Sequence, residues 1–180
     1  LVDHSQPDEC DHIFYVWRIS GHLNPEIAWK RSLMSIQANE ISLANYLVRF
    51  LSDEDRVFAT KLKLVHRKPH NIANTNKFYH QHPHNRDVIL HGLARLSRSR
   101  PEIALDLLDK YRNQHAFKLS AVNNTYVTIA KRLAGKGDPE GKLDALPIEL
   151  RAFPDLVESL IRLALRKSDF SQALVLINLL

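Results

Sequence analysis

Apolar residues recur at steps of three and four along almost the whole chain, and Gly, Pro, Asn or Asp interrupts them after roughly 10–16 residues. A helix of that length buries one stripe of side chains and cannot supply both walls of a core, so it must stack on its neighbours. No stretch alternates apolar and polar residues long enough to make a strand. The β-branched Val122, Val127, Thr128 and Ile129 fall among helical spacings. The pattern predicts an all-α fold: a superhelical α-solenoid of short antiparallel helix pairs with degenerate repeats and no sheet. Residues 1–180 read as one helical-repeat domain. The consensus residues of tetratricopeptide and ankyrin repeats recur at no fixed period.

The stop and start signals place the helices. The first is expected to begin near Pro7, Asp8 and Glu9, to put Cys10, Phe14 and Trp17 on one buried face, and to end at Ser20 and Gly21. Asn24, Pro25 and Glu26 read as N-cap, first-turn proline and dipole-matching acid. That helix should run to Ala38 or Asn39, burying Ile27 or Ala28, Leu33 or Met34, and Ala38. A third covers residues 41–51, with Leu43, Leu47 and Leu51 in line. Ser52 caps a fourth, which continues through Val57, Phe58, Leu62 and Val65 to Lys68, where Pro69 stops it. Residues 69–85, rich in His and Asn, are the irregular segment, with at most one or two helical turns. Helices resume over residues 86–98, from Pro101 (burying Ile103, Leu107, Leu108 and Tyr111), and over residues 120–134. Residues 135–147 read as a loop; helices then start at Pro154 and after a cap at Ser168 or Asp169.

Composition excludes several classes. Hydrophobic residues make up 44% of the chain, enough for a folded core, and no apolar run approaches the ~20 residues a membrane span needs. The formal charge of +5 comes from lysines and arginines spread along the chain, which reads as solvated helix faces. RNA-reading repeats would set base-contacting residues at a fixed place in each repeat; none recur, so no nucleic-acid partner is expected. The sequence opens without Met or a secretory signal and stops inside an apolar helical pattern, and both ends read as cuts from a longer protein.

His80, His82 and His84, with His66, His70 and His91 nearby, are the loudest local signal. No cysteine accompanies them, and alternate histidines in an extended segment point to opposite sides, so the reading is a polar loop and no metal site. Cys10 sits on an apolar face and reads as packed or disulfide-bonded, not as a nucleophile. Asp53, Glu54 and Asp55 are explained by the dipole of the helix they open. Glu158 beside Ser159 is the one pair to test as a glycosidic acid, but it falls in mid-helix between Leu156 and Leu160, where nothing builds a dry cleft. Phe14, Tyr15 and Trp17 beside Arg18 could stack on a sugar or base, yet their spacing favours core packing. No catalytic residue, cofactor or metal ligand is assigned.

One stretch carries a family likeness. Glu9, Cys10, Asp11, Phe14, Trp17, Arg18, Ser20 and Gly21, followed by Pro25, Arg31, Leu43 and Leu47, resemble the helical superhelix (U-type) domain of the soluble lytic murein transglycosylases. Gly92, Leu93, Ala94 and Arg95 leading to Pro101, Glu102 and Ala104 are similar to a mid-domain pair. Leu156, Val157, Glu158, Arg162, Ala164, Leu165 and Asp169 are similar to a later one. The resemblance implies a periplasmic, envelope-associated parent enzyme that cleaves peptidoglycan glycan strands to 1,6-anhydromuramoyl ends. It implies a separate C-terminal catalytic domain as a partner, and a possible disulfide from Cys10 to a cysteine ahead of residue 1. The family's catalytic motif, Glu-Ser-x-aromatic-Asn-Pro, is absent: Glu158 and Ser159 continue into Leu160, Ile161 and Arg162. Leu176 stands where the family often has tryptophan. The expected role is a non-catalytic scaffold, with a general protein–protein interaction solenoid as the alternative.

Overall fold

The structure, a computed structural model, describes residues 10–179, apart from the side chains of Asp11, Phe14 and Arg18. The helix start expected at Pro7, Asp8 and Glu9, and the burial of Phe14, lie outside the described residues. Ten α-helices follow in order: α1 (Asp11–Ile19), α2 (Pro25–Gln37), α3 (Ile41–Leu47), α4 (Asp53–Arg67), α5 (Pro83–Leu96), α6 (Pro101–Gln114), α7 (Leu119–Gly135), α8 (Ile148–Arg151), α9 (Pro154–Arg166) and α10 (Phe170–Ile177). Among the described residues there is no strand. From α2 onward the helices pack chiefly on those near them in sequence: α2 on α3 and α4, α4 on α5, α5 on α6 and α7, α6 on α7, α7 on α9, and α9 on α10. That serial stacking is the all-α superhelix the periodicity predicts.

Side-chain caps set several starts. Asn24 Oδ1 accepts from the Ile27 amide at 2.9 Å, Ser52 Oγ from Asp55 at 3.1 Å, and Asp169 Oδ1 from Gln172 at 2.9 Å. The last of these settles the choice between Ser168 and Asp169. Each such cap contributes about 1 kcal/mol, less than the roughly 1.5–3 kcal/mol from burying one leucine or phenylalanine. Caps therefore fix where helices begin, and the buried stripe decides whether they persist.

Several expectations about the stripes need correction. α2 buries Ala28, Trp29, Ser32, Ser35 and Ile36, leaving Ala38 exposed and Leu33 and Met34 half-buried. Its face is rotated because Trp29, the largest side chain on it, goes inward and its indole donates to Asp87 Oδ2 at 2.7 Å. Ile103 points outward, with Ala104 and Leu105 inside instead, and on α4 Phe58 is buried while Val57 is exposed. α3 ends at Leu47 and tightens into a 3-10 turn, Val48–Phe50, before Leu51 turns into the core.

The segment 69–85 departs most from its expected looseness. Two 3-10 turns, Pro69–Ala73 and Thr75–Phe78, carry fully buried Ile72 and Phe78. Buried Asn85 donates to the carbonyls of Phe78 at 2.7 Å and His80 at 2.8 Å, and the buried Tyr111 hydroxyl donates to Ile72 O at 2.7 Å. α5 also starts three residues early, at Pro83 and not Arg86, because the His82 imidazole caps it by accepting from the His84 amide at 3.2 Å. The 135–147 loop is likewise anchored. Buried Asp138, at φ 46°, accepts from the amides of Lys142 and Leu143, and Leu143 and Leu146 turn inward.

Gly92 marks the tightest crossing. A Cβ there would stand 3.1 Å from Ile72 Cδ1 and 3.2 Å from Val65 Cβ, so α5 can lie on α4 and the Pro69–Ala73 turn only where no side chain intervenes. Gly92→Val should destabilise the fold by about 2–3 kcal/mol despite the gain over glycine in helix propensity. Equilibrium urea unfolding measures this, and a variant as stable as the parent would contradict the close packing.

Candidate functional site

Helices α2, α5 and α7 enclose a groove of about 330 Å³. Its apolar floor includes Leu33 and Leu90, and Arg95, Arg98 and Arg132 supply its charge. Arg95 and Arg98 lie three residues apart at the end of α5 and so share one face of the chain there. Arg132 comes from the last turn of α7. Among the described residues no carboxylate forms an ion pair with any of the three. Arg95 spends one Nη on the His66 carbonyl, at 3.1 Å, and its Nε is buried with no hydrogen-bond partner. The one acid lining the groove, Asp87, is tied to Trp29.

A histidine pair lies against this groove. His66 Nδ1 and His91 Nε2 are 3.2 Å apart, and His66 Nε2 is 3.1 Å from Asn39 Oδ1. The amide oxygen of Asn39 can only accept, so His66 carries its proton on Nε2. His91 Nε2–H then donates to His66 Nδ1. Both rings are neutral in this arrangement. Burial, then His66, Arg95 and Arg98, push His91 down to about 4; burial and the same two arginines lower His66. The groove is thus a positive field over neutral histidines, a surface suited to carboxylates or other anions.

His82 and His84 form a second cluster, at the N-terminal end of α5. His84 Nε2 lies 3.2 Å and His82 Nε2 3.8 Å from Asp55 Oδ1. The expectation that alternate histidines face opposite sides fails here because the chain turns from extended to helical between them, with His82 as N-cap. Trp29 stacks on His84 with ring centroids 4.1 Å apart, and Phe58 on His82 at 4.5 Å. Asp55 Oδ2 is held by the Ser52 hydroxyl at 2.7 Å. Burial lowers the His84 pKa, with Asp55 opposing it. The signal available in the sequence was an acid in the first turn of one helix and two histidines at the start of the next.

The remaining residues singled out in the sequence do not assemble with these. Glu158 is exposed on α9 and pairs with Arg162 at 3.1 Å, which is the opposite of a dry, proton-holding acid. Asp53 pairs with Arg56. Cys10 is half-buried and its thiol is free within the described residues, Trp17 is half-buried, and Tyr15 is exposed. His70 and His80 stay apart from the Asp55 cluster.

The architecture has known counterparts. The lytic transglycosylase Slt from Pseudomonas aeruginosa, in an inactive mutant form, superposes with a TM-score of 0.76 and 28% identity over 95% of this chain and 28% of that one. The chain resembles a segment of a soluble lytic transglycosylase. A 70-kDa soluble lytic transglycosylase in complex with bulgecin A matches with a TM-score of 0.75 over 99% of this chain and 29% of its own. Its identity is 20%, a likeness of fold. The chain therefore spans less than a third of either enzyme. No family model and no curated protein matches it. The likeness read from the Cys10 to Gly21 stretch thus reappears in the fold of the whole chain.

The His91 environment sets a pH dependence. Its folded-state pKa lies below the unfolded value of about 6.5, so the unfolded chain binds the proton more readily and stability falls as the pH falls. The loss begins near the unfolded pKa and is complete below about 4. It should amount to roughly 3 kcal/mol at most, with His66 adding in the same direction. Urea unfolding over this pH range should show the slope, and His91→Asn should flatten it; an unchanged slope would refute the assignment.

Proposed function

We propose that the chain is a non-catalytic helical scaffold within a peptidoglycan lytic transglycosylase of the bacterial periplasm. The reading treats residues 1–180 as one helical-repeat domain of that protein. The parent enzyme cleaves murein glycan strands to 1,6-anhydromuramoyl ends through a C-terminal catalytic domain elsewhere in the protein. The observation that carries this reading is the match to Slt across 95% of the chain.

The groove between α2, α5 and α7 supplies a role for the scaffold. Murein strands bear lactyl-peptide carboxylates, and Arg95, Arg98 and Arg132 offer them guanidinium partners that no acid among the described residues occupies. Exposed ion pairs contribute only about 0–1 kcal/mol each, and charges at the surface are screened beyond ~8 Å at physiological salt. The scaffold accordingly holds strands weakly and by several contacts at once, which leaves a processed strand free to leave.

Co-sedimentation of the purified chain with insoluble peptidoglycan tests both parts. A bound fraction that falls with salt is expected, with no anhydromuramoyl product released, and Arg98→Glu with Arg132→Glu should lower binding about fivefold or more. Cleavage by the chain alone would overturn the non-catalytic reading. Undiminished binding by the charge-reversed variant would remove the groove from it. Capture of an envelope protein without co-sedimentation would favour a protein-interaction solenoid.

A further inference from the structure

We propose that Asp55, His82 and His84 bind a divalent transition-metal ion of the zinc class. The inference stands on the geometry of this cluster and is independent of the cell-wall reading.

The three side chains come from the start of α4 and the start of α5, so sequence adjacency alone does not bring them together. One donor atom from each can be chosen so that all lie within 4.8 Å of one another. Two ligands bound to tetrahedral zinc at about 2.0–2.1 Å stand roughly 3.3 Å apart. The carboxylate-to-imidazole distances of 3.2 and 3.8 Å are close to that edge. Aromatic faces fix both rings, Trp29 against His84 and Phe58 against His82, and the Ser52 hydroxyl holds the second carboxylate oxygen so that Oδ1 faces the imidazoles. No lysine or arginine among the described residues forms an ion pair with Asp55.

Two imidazole nitrogens and one carboxylate oxygen select the class. Calcium and magnesium require mostly oxygen ligands, whereas this set suits zinc, with water completing the tetrahedron. On binding, each histidine keeps one proton but moves it from Nε2 to Nδ1, freeing Nε2 for the metal. His82 Nδ1 then no longer accepts the His84 amide, so the cap of α5 is exchanged for a metal bond that ties α5 to α4.

Titration calorimetry of the tag-free chain with zinc chloride tests the proposal, with the visible spectrum of the cobalt(II) form as a second readout. One equivalent should bind saturably, magnesium should not compete, and cobalt should give the intense absorption of a tetrahedral site. Asp55→Asn and His84→Ala should each weaken binding roughly tenfold or more, while His70→Ala and His80→Ala leave it unchanged. Circular dichroism checks that the variants fold. If His84→Ala does not, Asp55→Asn, which keeps the side-chain volume, decides. Absence of saturable zinc binding by the parent chain, unchanged affinity in Asp55→Asn, or loss of binding in His70→Ala or His80→Ala overturns the proposal.

Discussion

The close approach of α5 to α4 and to the Pro69–Ala73 turn, at Gly92, is the contact on which the rest of the arrangement depends. Short helices have no core of their own, so the angle and depth at which one lies on the next determine where every later helix sits. At Gly92 even a Cβ would press within 3.1–3.2 Å of Ile72 and Val65. Tyr111 then locks α6 to the same turn through the Ile72 carbonyl. Burial raises the Tyr111 phenol well above its ordinary pKa, so it remains a neutral donor there at any pH the fold survives.

Both polar clusters follow from the placement of α5. Its first residues bring His82 and His84 to Asp55, and its last turn with the short turn that follows brings Arg95 and Arg98 to the groove. The helix thus has a carboxylate-bound histidine pair at one end and an unneutralised cationic patch at the other. The cationic end carries an electrostatic cost that the His66–His91 pair limits by staying neutral. Burial first, and then the neighbouring guanidinium groups, disfavour protonation of either ring and lower both pKa values.

Much of the fold was legible in the sequence because the features that set it are local. Asn24, Ser52 and Asp169 announce their helices through side-chain acceptors placed three residues before the amides they serve. Which face turns inward is not local. α2 has a weakly amphipathic pattern, and Trp29 went inward because Asp87, far along the chain, could receive its indole N–H. The 69–85 segment looked irregular because its order comes from side-chain contacts that no periodicity announces: Asn85 at its own end, and Tyr111 and the gap left at Gly92 beyond it. The histidine cluster was hidden for a related reason, since spacing of two means opposite faces only if both residues belong to one extended strand.

Carboxylate placement gives the physical basis for reading this chain as a scaffold. A glycosidic acid needs burial that raises its pKa, with nearby cations kept away so that its proton is retained. Glu158 has an arginine one turn along an exposed helix face, and Asp87 receives an indole N–H beside the arginine groove. Neither environment is the dry, cation-free pocket that such an acid requires. The cationic groove has complementary properties: guanidinium groups are charged at every relevant pH and present planar pairs of donors to an anion, but they move no protons. A surface of that kind can orient a carboxylate-bearing polymer while contributing nothing to breaking its bonds. On the proposed reading, positioning and cleavage are therefore separated between parts of one protein because their electrostatic requirements conflict.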